Sequence, residues 1–161
     1  MYKIVAINKR MATDKVFIDG IKIPFVAISI FSPGAPFYRL PETSFCKDVL
    51  YLEFHDINYD GDVNSFYRVD MNDLIHFSEF LAKRIVDFVL RYKHDVNDIL
   101  INCEAGMSRS VAVALAVSKI LNGEDSDKYV ESLYDKRFYN TLIYDTIINF
   151  YNKNTERYNN T

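Results

Sequence analysis

Hydrophobic positions along the chain follow two rhythms, and the switch between them marks out its elements. "YKIVAI" (2–7) and "PFVAISIF" (24–31) are short runs rich in β-branched and aromatic residues, and both predict strands. "VLYLEFHDI" (49–57) predicts a third strand of alternating character, followed by the turn-rich "NYDGDVNS" (58–65) around Gly61. From Asn72 to Lys93 the period lengthens. Leu74, Phe77, Leu81, Ile85 and Phe88 recur at helical spacing and predict an amphipathic helix, with Asp70 or Asn72 as its cap. "DILINC" (98–103) predicts a fourth strand, apolar enough to be buried on both faces. Ser110 to Asn122 predicts a helix that is apolar nearly all round, with Asn122–Gly123 as its C-terminal stop. Further helices are expected near Asp127–Asp135 and Thr141–Asn152. Strands with helices between them imply one α/β domain over 1–153, a mostly parallel central sheet of four to five strands flanked by helices. The polar stretch 154–161 is expected to be a frayed tail.

Composition narrows the function classes without choosing one. The 161 residues are 49% hydrophobic and 25% charged with a net charge of −3, ordinary for a globular domain. That balance gives no reason to expect nucleic acid or an anionic membrane as partner. The opening "MYKIVAINKRMATDK" has an apolar run too short for a signal peptide. All four prolines fall between Pro24 and Pro41, so the longest uncharged segment is broken and predicts no membrane helix. Cys46 and Cys103, far apart in sequence, make no disulfide framework and point to a reduced, cytoplasmic protein.

Chemistry concentrates in "ILINCEAGMSRSVAVALA" (99–116), which reads as strand, short loop, helix. A helix N-terminus carries unpaired N–H groups and the positive end of the macrodipole. A loop curling round it, permitted by Gly106, aims more N–H groups inward and forms a nest for a tetrahedral dianion. Arg109 adds a planar fork that can hold two phosphate oxygens at once. A cysteine at the focus of that field is placed to react as a thiolate. The small residues Ala112, Ala114 and Ala116 let the following helix pack closely on the sheet.

"CEAGMSRS" resembles the C-x5-R-[ST] loop of the cysteine-dependent protein tyrosine phosphatase superfamily. The likeness is to its compact dual-specificity and prokaryotic tyrosine-phosphatase-like branch, and it is strong over 99–117 and weaker over 50–98. The resemblance implies that Cys103 attacks phosphorus to form a phosphocysteine. Arg109 and the backbone of Glu104, Ala105, Gly106, Met107 and Ser108 would hold the phosphate oxygens, and Ser110 would help the sulfur leave. An aspartate on another loop would act as general acid and then as base. "FHDI" puts Asp56 at a strand's end and makes it the first candidate, with Asp62 and then Asp60 as alternatives, while Asp70 and Asp73 read as helix caps. The family usually carries histidine before the cysteine, where this chain has Asn102. Glu104, beside the nucleophile, opposes a thiolate unless its side chain points outward.

Other readings compete for the same residues. Asp56 to Tyr67 satisfies several positions of an EF-hand calcium loop but has Tyr67 where a bidentate Glu belongs. His55, His76 and His94 show no metal-ligand spacing; His76 is expected inside the helix and His94 at its end. No metal or cofactor is implied. The expected activity is hydrolysis of phosphotyrosine, with or without phosphoserine and phosphothreonine, in a phosphorylated protein or peptide. The alternatives are a C-x5-R enzyme acting on a non-protein phosphate ester and a pseudophosphatase that binds phosphoproteins without turnover.

Overall fold

A computed structural model describes residues 1–65, 67–123 and 126–161. Phe66, inside the span of the calcium-loop reading, lies outside the described residues. Five strands form one sheet: β1 (Lys3–Asn8), β2 (Phe25–Phe31), β3 (Cys46–Glu53), and two more C-terminal ones, β6 (Asp98–Cys103) and β7 (Val130–Ser132). Their spatial order is β3-β2-β6-β1-β7, and every pairing in it is parallel. Parallel strands covered on both faces need apolar residues throughout, and all seven residues of β2 and the last five of β6 are buried. The register sets Asn8 of β1 opposite Cys103 and Ser29 of β2 opposite Asn102, so the loop after β6 opens at the centre of the sheet's C-terminal edge.

The alternation of side chains along β6 divides the core. Ile99, Ile101 and Cys103 face three helices, α3 (Glu79–Tyr92), α4 (Arg109–Asn122) and α5 (Thr141–Lys153). Leu100 faces the opposite way, towards the short helices α1 (Lys9–Ala12) and α2 (Lys15–Asp19) and the proline-rich connection. In α4 the residues Ala112, Ala114 and Ala116 are fully buried, as the small-residue pattern predicts, and Gly123 ends the helix at φ +73°.

The structure departs from the sequence pattern in five places. The third strand stops at Glu53. Asp56–Ile57 is β4, paired antiparallel with β5 (Val63–Asn64) in a separate hairpin. The helix expected from Asn72 begins only at Glu79, capped by Ser78, whose Oγ accepts from the Leu81 N–H. Upstream the chain is held non-helical because His55 and Ile75 bond each other twice. The His55 N–H donates to the Ile75 carbonyl at 2.8 Å, and the Ile75 N–H donates to His55 Nδ1 at 2.9 Å. Phe77 meanwhile packs on Phe54. Asp70 and Asp73 therefore cap no helix, and His76 lies outside α3. Near 127–135 there is a 3₁₀ turn, Ser126–Tyr129, then β7, three residues too short to show any period, then a second 3₁₀ turn, Lys136–Phe138, capped by Asp135. The stretch 9–19 holds α1 and α2, capped by Asn8 and Asp14. The polar tail contains α6 (Thr155–Asn159), anchored by Tyr158, which stacks on Tyr151 and donates to Asp87 at 2.8 Å.

Candidate active site

Cys103 ends β6 with 2% of its surface exposed. Its Sγ accepts a hydrogen bond from the Gly106 N–H at 3.3 Å and lies in hydrogen-bonding contact with Ser110 Oγ at 3.2 Å. The loop between them is locked to β1. Gly106 takes φ +73°, and a Cβ there would come within 2.8 Å of the backbone at Ile7 and Asn8. The Lys9 N–H donates to the Glu104 carbonyl at 3.2 Å, securing the other side of the curl. Ser108 occupies the N-cap of α4 without capping it, because its hydroxyl donates instead to Asp56 Oδ1 at 3.0 Å. The start of a fourteen-residue helix is thus left without a side-chain cap from its N-cap residue.

Arg109 is 5% exposed. Its guanidinium donates to the carbonyls of Phe54 (2.8 Å) and Phe31 (3.4 Å) and to Ser32 Oγ (2.7 Å). All three partners are neutral, and two of the five N–H donors are left over. A buried cation hydrogen-bonded only to neutral groups among the described residues is costly, and an anion entering the loop relieves that cost.

Beside Cys103 and Arg109 a cleft of about 420 Å³ is lined also by Asp56, Asn58, Asn64, Met107 and Phe138. Asp56 is 4% exposed. Its Oδ1 accepts from Ser108 Oγ and from Asn140 Nδ2 (2.7 Å), and its Oδ2 from Asn64 Nδ2 (3.4 Å). These bonds engage the carboxylate that the calcium-loop reading needs as a ligand. Among the described residues no group of three or more His, Cys, Asp or Glu side chains is arranged to hold a metal ion. Asp60 and Asp62 lie at the exposed tip of the β4–β5 hairpin, outside the cleft lining, and Asp60 Oδ1 accepts from the Asp62 N–H.

Asn102, next to Cys103 in sequence, points to the opposite face of the sheet. There its Nδ2 donates to Tyr38 Oη at 2.8 Å. Burial pushes the Tyr38 phenol up to about 12. Phe31 packs on the Tyr38 ring, with centroids 4.3 Å apart. Asn102 thus supports the loop from below. Glu104 does not point clear of the protein, since its Oε1 is buried and finds no hydrogen-bond partner among the described residues. Burial, reinforced by the nearby Arg109 charge, lowers the His55 pKa, and its Nδ1 serves as an acceptor.

Cys46 and Cys103 stand at opposite ends of the sheet. Cys46 is level with Phe25, which is level with Asp98, five residues below Cys103. Strand rise and spacing put their Cα atoms about 19 Å apart, far beyond disulfide reach.

Several groups at the site carry no local signal in the sequence. Ser32 and Tyr38 sit in or beside the proline-rich connection, and nothing in that stretch marks them. Asn140 precedes an apolar, periodic segment, so its capping of α5 could have been read; its reach to Asp56, 84 residues away, could not.

No family model matches the sequence, and neither does any curated protein. In three dimensions the chain is similar to PTPMT1, solved in complex with PI(5)P. The TM-score is 0.50 at 14% identity, covering 96% of this chain and 94% of that one. It is also similar to Tk-PTP in its active form, with TM-score 0.44 and 15% identity over 80% of this chain and 76% of that one. The PTPMT1 likeness shows the fold, a five-stranded parallel sheet flanked by helices.

Proposed function

We propose that a chain with this fold is a phosphatase that hydrolyses phosphotyrosine, with or without phosphoserine and phosphothreonine, through a phosphocysteine on Cys103. The observation that carries the reading is the buried Arg109 guanidinium, hydrogen-bonded only to neutral groups among the described residues, in the same cleft as a sulfur that already accepts a loop N–H. In the first step the Cys103 thiolate attacks phosphorus and the bond to the leaving oxygen breaks. Arg109 and the loop N–H groups hold the other oxygens, and Asp56 gives its proton to the leaving oxygen. In the second step water attacks phosphorus, Asp56 takes its proton, and the P–S bond breaks. Ser110, 3.2 Å from Sγ, donates to the departing thiolate. No metal or cofactor enters either step.

Arg109 is the only cationic side chain among the described residues lining the cleft, which suits a single phosphoryl group. Phe138, 66% exposed, and Met107, 38% exposed, offer an apolar wall to an aryl ester. A second reading comes from the likeness to a protein solved with PI(5)P, which makes a phosphoinositide headgroup the competing substrate.

The test is metal-free turnover of a phosphotyrosyl peptide and of PI(5)P by wild type, Cys103→Ser, Asp56→Ala and Asp62→Ala. The expected pattern is peptide hydrolysis abolished by Cys103→Ser and lowered roughly 100-fold or more by Asp56→Ala, with Asp62→Ala near wild type. Preference for PI(5)P would move the substrate class. Crippling by Asp62→Ala would move the acid. A folded wild type that binds phosphopeptide without turnover would make the protein a pseudophosphatase.

A further inference from the structure

Asn140 is 1% exposed, lies behind the cleft wall, and spends every polar atom of its amide. Its Oδ1 accepts from the Ile143 N–H (3.1 Å), capping α5. Its two Nδ2 hydrogens go to Asp56 Oδ1 (2.7 Å) and to the Ile57 carbonyl (3.0 Å). The reversed amide would set its oxygen against two acceptors, so the chemistry fixes this orientation. Its backbone N–H donates to the Ser108 carbonyl at 3.4 Å. One residue therefore ties α5, the β4 strand and the phosphate loop together. A second bond from α5, the Tyr59 hydroxyl donating to Asp145 at 2.6 Å, holds the hairpin tip.

We propose that Asn140 is a positioning residue that determines which oxygen of Asp56 transfers the proton. The inference rests on the reading of Asp56 as general acid. Oδ1 already faces two donors, Asn140 Nδ2–H and Ser108 Oγ–H, and cannot carry a proton without displacing one of them. Among the described residues Oδ2 has only the long contact to Asn64 at 3.4 Å; Asn64 and Ser108 both line the cleft, whereas Asn140, the shorter of the two contacts to Oδ1, does not. The proton therefore sits on Oδ2. It passes from Oδ2 to the leaving oxygen as the P–O bond breaks, and Oδ2 accepts a proton from the attacking water in the second step. Asn140 touches neither substrate nor phosphorus; it holds the carboxyl so that its unencumbered oxygen faces the reaction.

The leaving group exposes this role. A dinitrophenolate departs without a proton, whereas a phenolate needs one. Asn140→Ser keeps a capping hydroxyl for α5 but cannot reach Asp56, and Asn140→Ala loses both functions; thermal melting monitors the fold of each. For Asn140→Ser the expected kcat/KM falls roughly 10- to 100-fold on phenyl phosphate and less than about twofold on dinitrophenyl phosphate. In an Asp56→Ala background, Asn140→Ser should add almost nothing, because the two residues act as one unit. Equal losses on both esters, additive losses in the double variant, or wild-type kinetics in Asn140→Ser would each overturn the proposal while the phosphatase reading stands. A wild type without turnover would overturn both. An Asp56→Ala variant with no leaving-group selectivity would overturn the acid assignment and this inference together.

Discussion

At residue scale, Gly106 is the point where backbone geometry and chemistry coincide. Its φ of +73° is the left-handed region, and the space a Cβ would need is filled by the backbone of Ile7 and Asn8 at 2.8 Å. Those atoms belong to β1 and cannot rotate away. Gly106→Ala is therefore expected to lose at least about 1–3 kcal/mol in denaturant unfolding and to lose vanadate binding; a stable, vanadate-binding variant would contradict it. The two cysteines should also separate chemically. Cys46 is half-buried, and burial pushes its thiol up to about 11, so it is almost wholly protonated near neutral pH. Cys103 accepts a loop N–H and shares its cleft with Arg109. Iodoacetamide at neutral pH, read by peptide mass mapping, should modify Cys103 first, and inorganic phosphate should slow that reaction. Equal labelling of both, indifferent to phosphate, would count against the anion-binding loop.

At the scale of elements, the segment from Phe54 to Ser78 shows where a sequence pattern and a fold can diverge. Leu74 and Phe77 continue the helical phase of Leu81, Ile85 and Phe88, yet the backbone there pairs with His55. A periodic pattern reports which residues want burial, and Phe77 finds it on Phe54 without being helical. The cap at Ser78 carries the ordinary N-cap chemistry, but Asp70 and Asn72 carry it too, so local sequence could not choose between them. The His55 contact has a pH signature. Its pKa is lowered from 6.5, so the unfolded chain binds more protons than the folded one below that value. The contribution is complete above pH 6.5 and is lost as pH falls through the lower folded value. The melting temperature should decline from pH 6.5 to about pH 5, and His55→Gln should flatten that decline. Asp87, lowered from 3.8 mainly by its bonds from Lys83 and Tyr158 against the opposing effect of burial, titrates below this window. An unchanged decline in His55→Gln would assign it to other groups.

Across the whole molecule, the site draws on four separated stretches of chain: 31–38, 54–64, 102–110 and 138–140. Only the third is contiguous, and it was legible because strand, glycine turn, arginine and helix must fall at fixed offsets for the loop to close. The fold class was legible for a related reason, since "PFVAISIF" and "DILINC" are short runs rich in β-branched or aromatic residues, set between helical segments. Ser32, Tyr38 and Asn140 were not, because each acts on a residue at least 64 positions away, at a distance set by tertiary packing alone. In the proposed reaction these stretches converge to make the Cys103 sulfur a phosphoryl acceptor. The most direct measurement is rapid acid quench of the Ser110→Ala variant during turnover of an aryl phosphate, followed by peptide mass spectrometry. In the proposed reaction, loss of the Ser110 hydroxyl slows sulfur departure, so a phosphate adduct on the Cys103 peptide is predicted to accumulate within the first turnover and to be absent from Cys103→Ser. Phosphate release at a normal rate from Cys103→Ser, or turnover with no adduct on Cys103, would contradict the account.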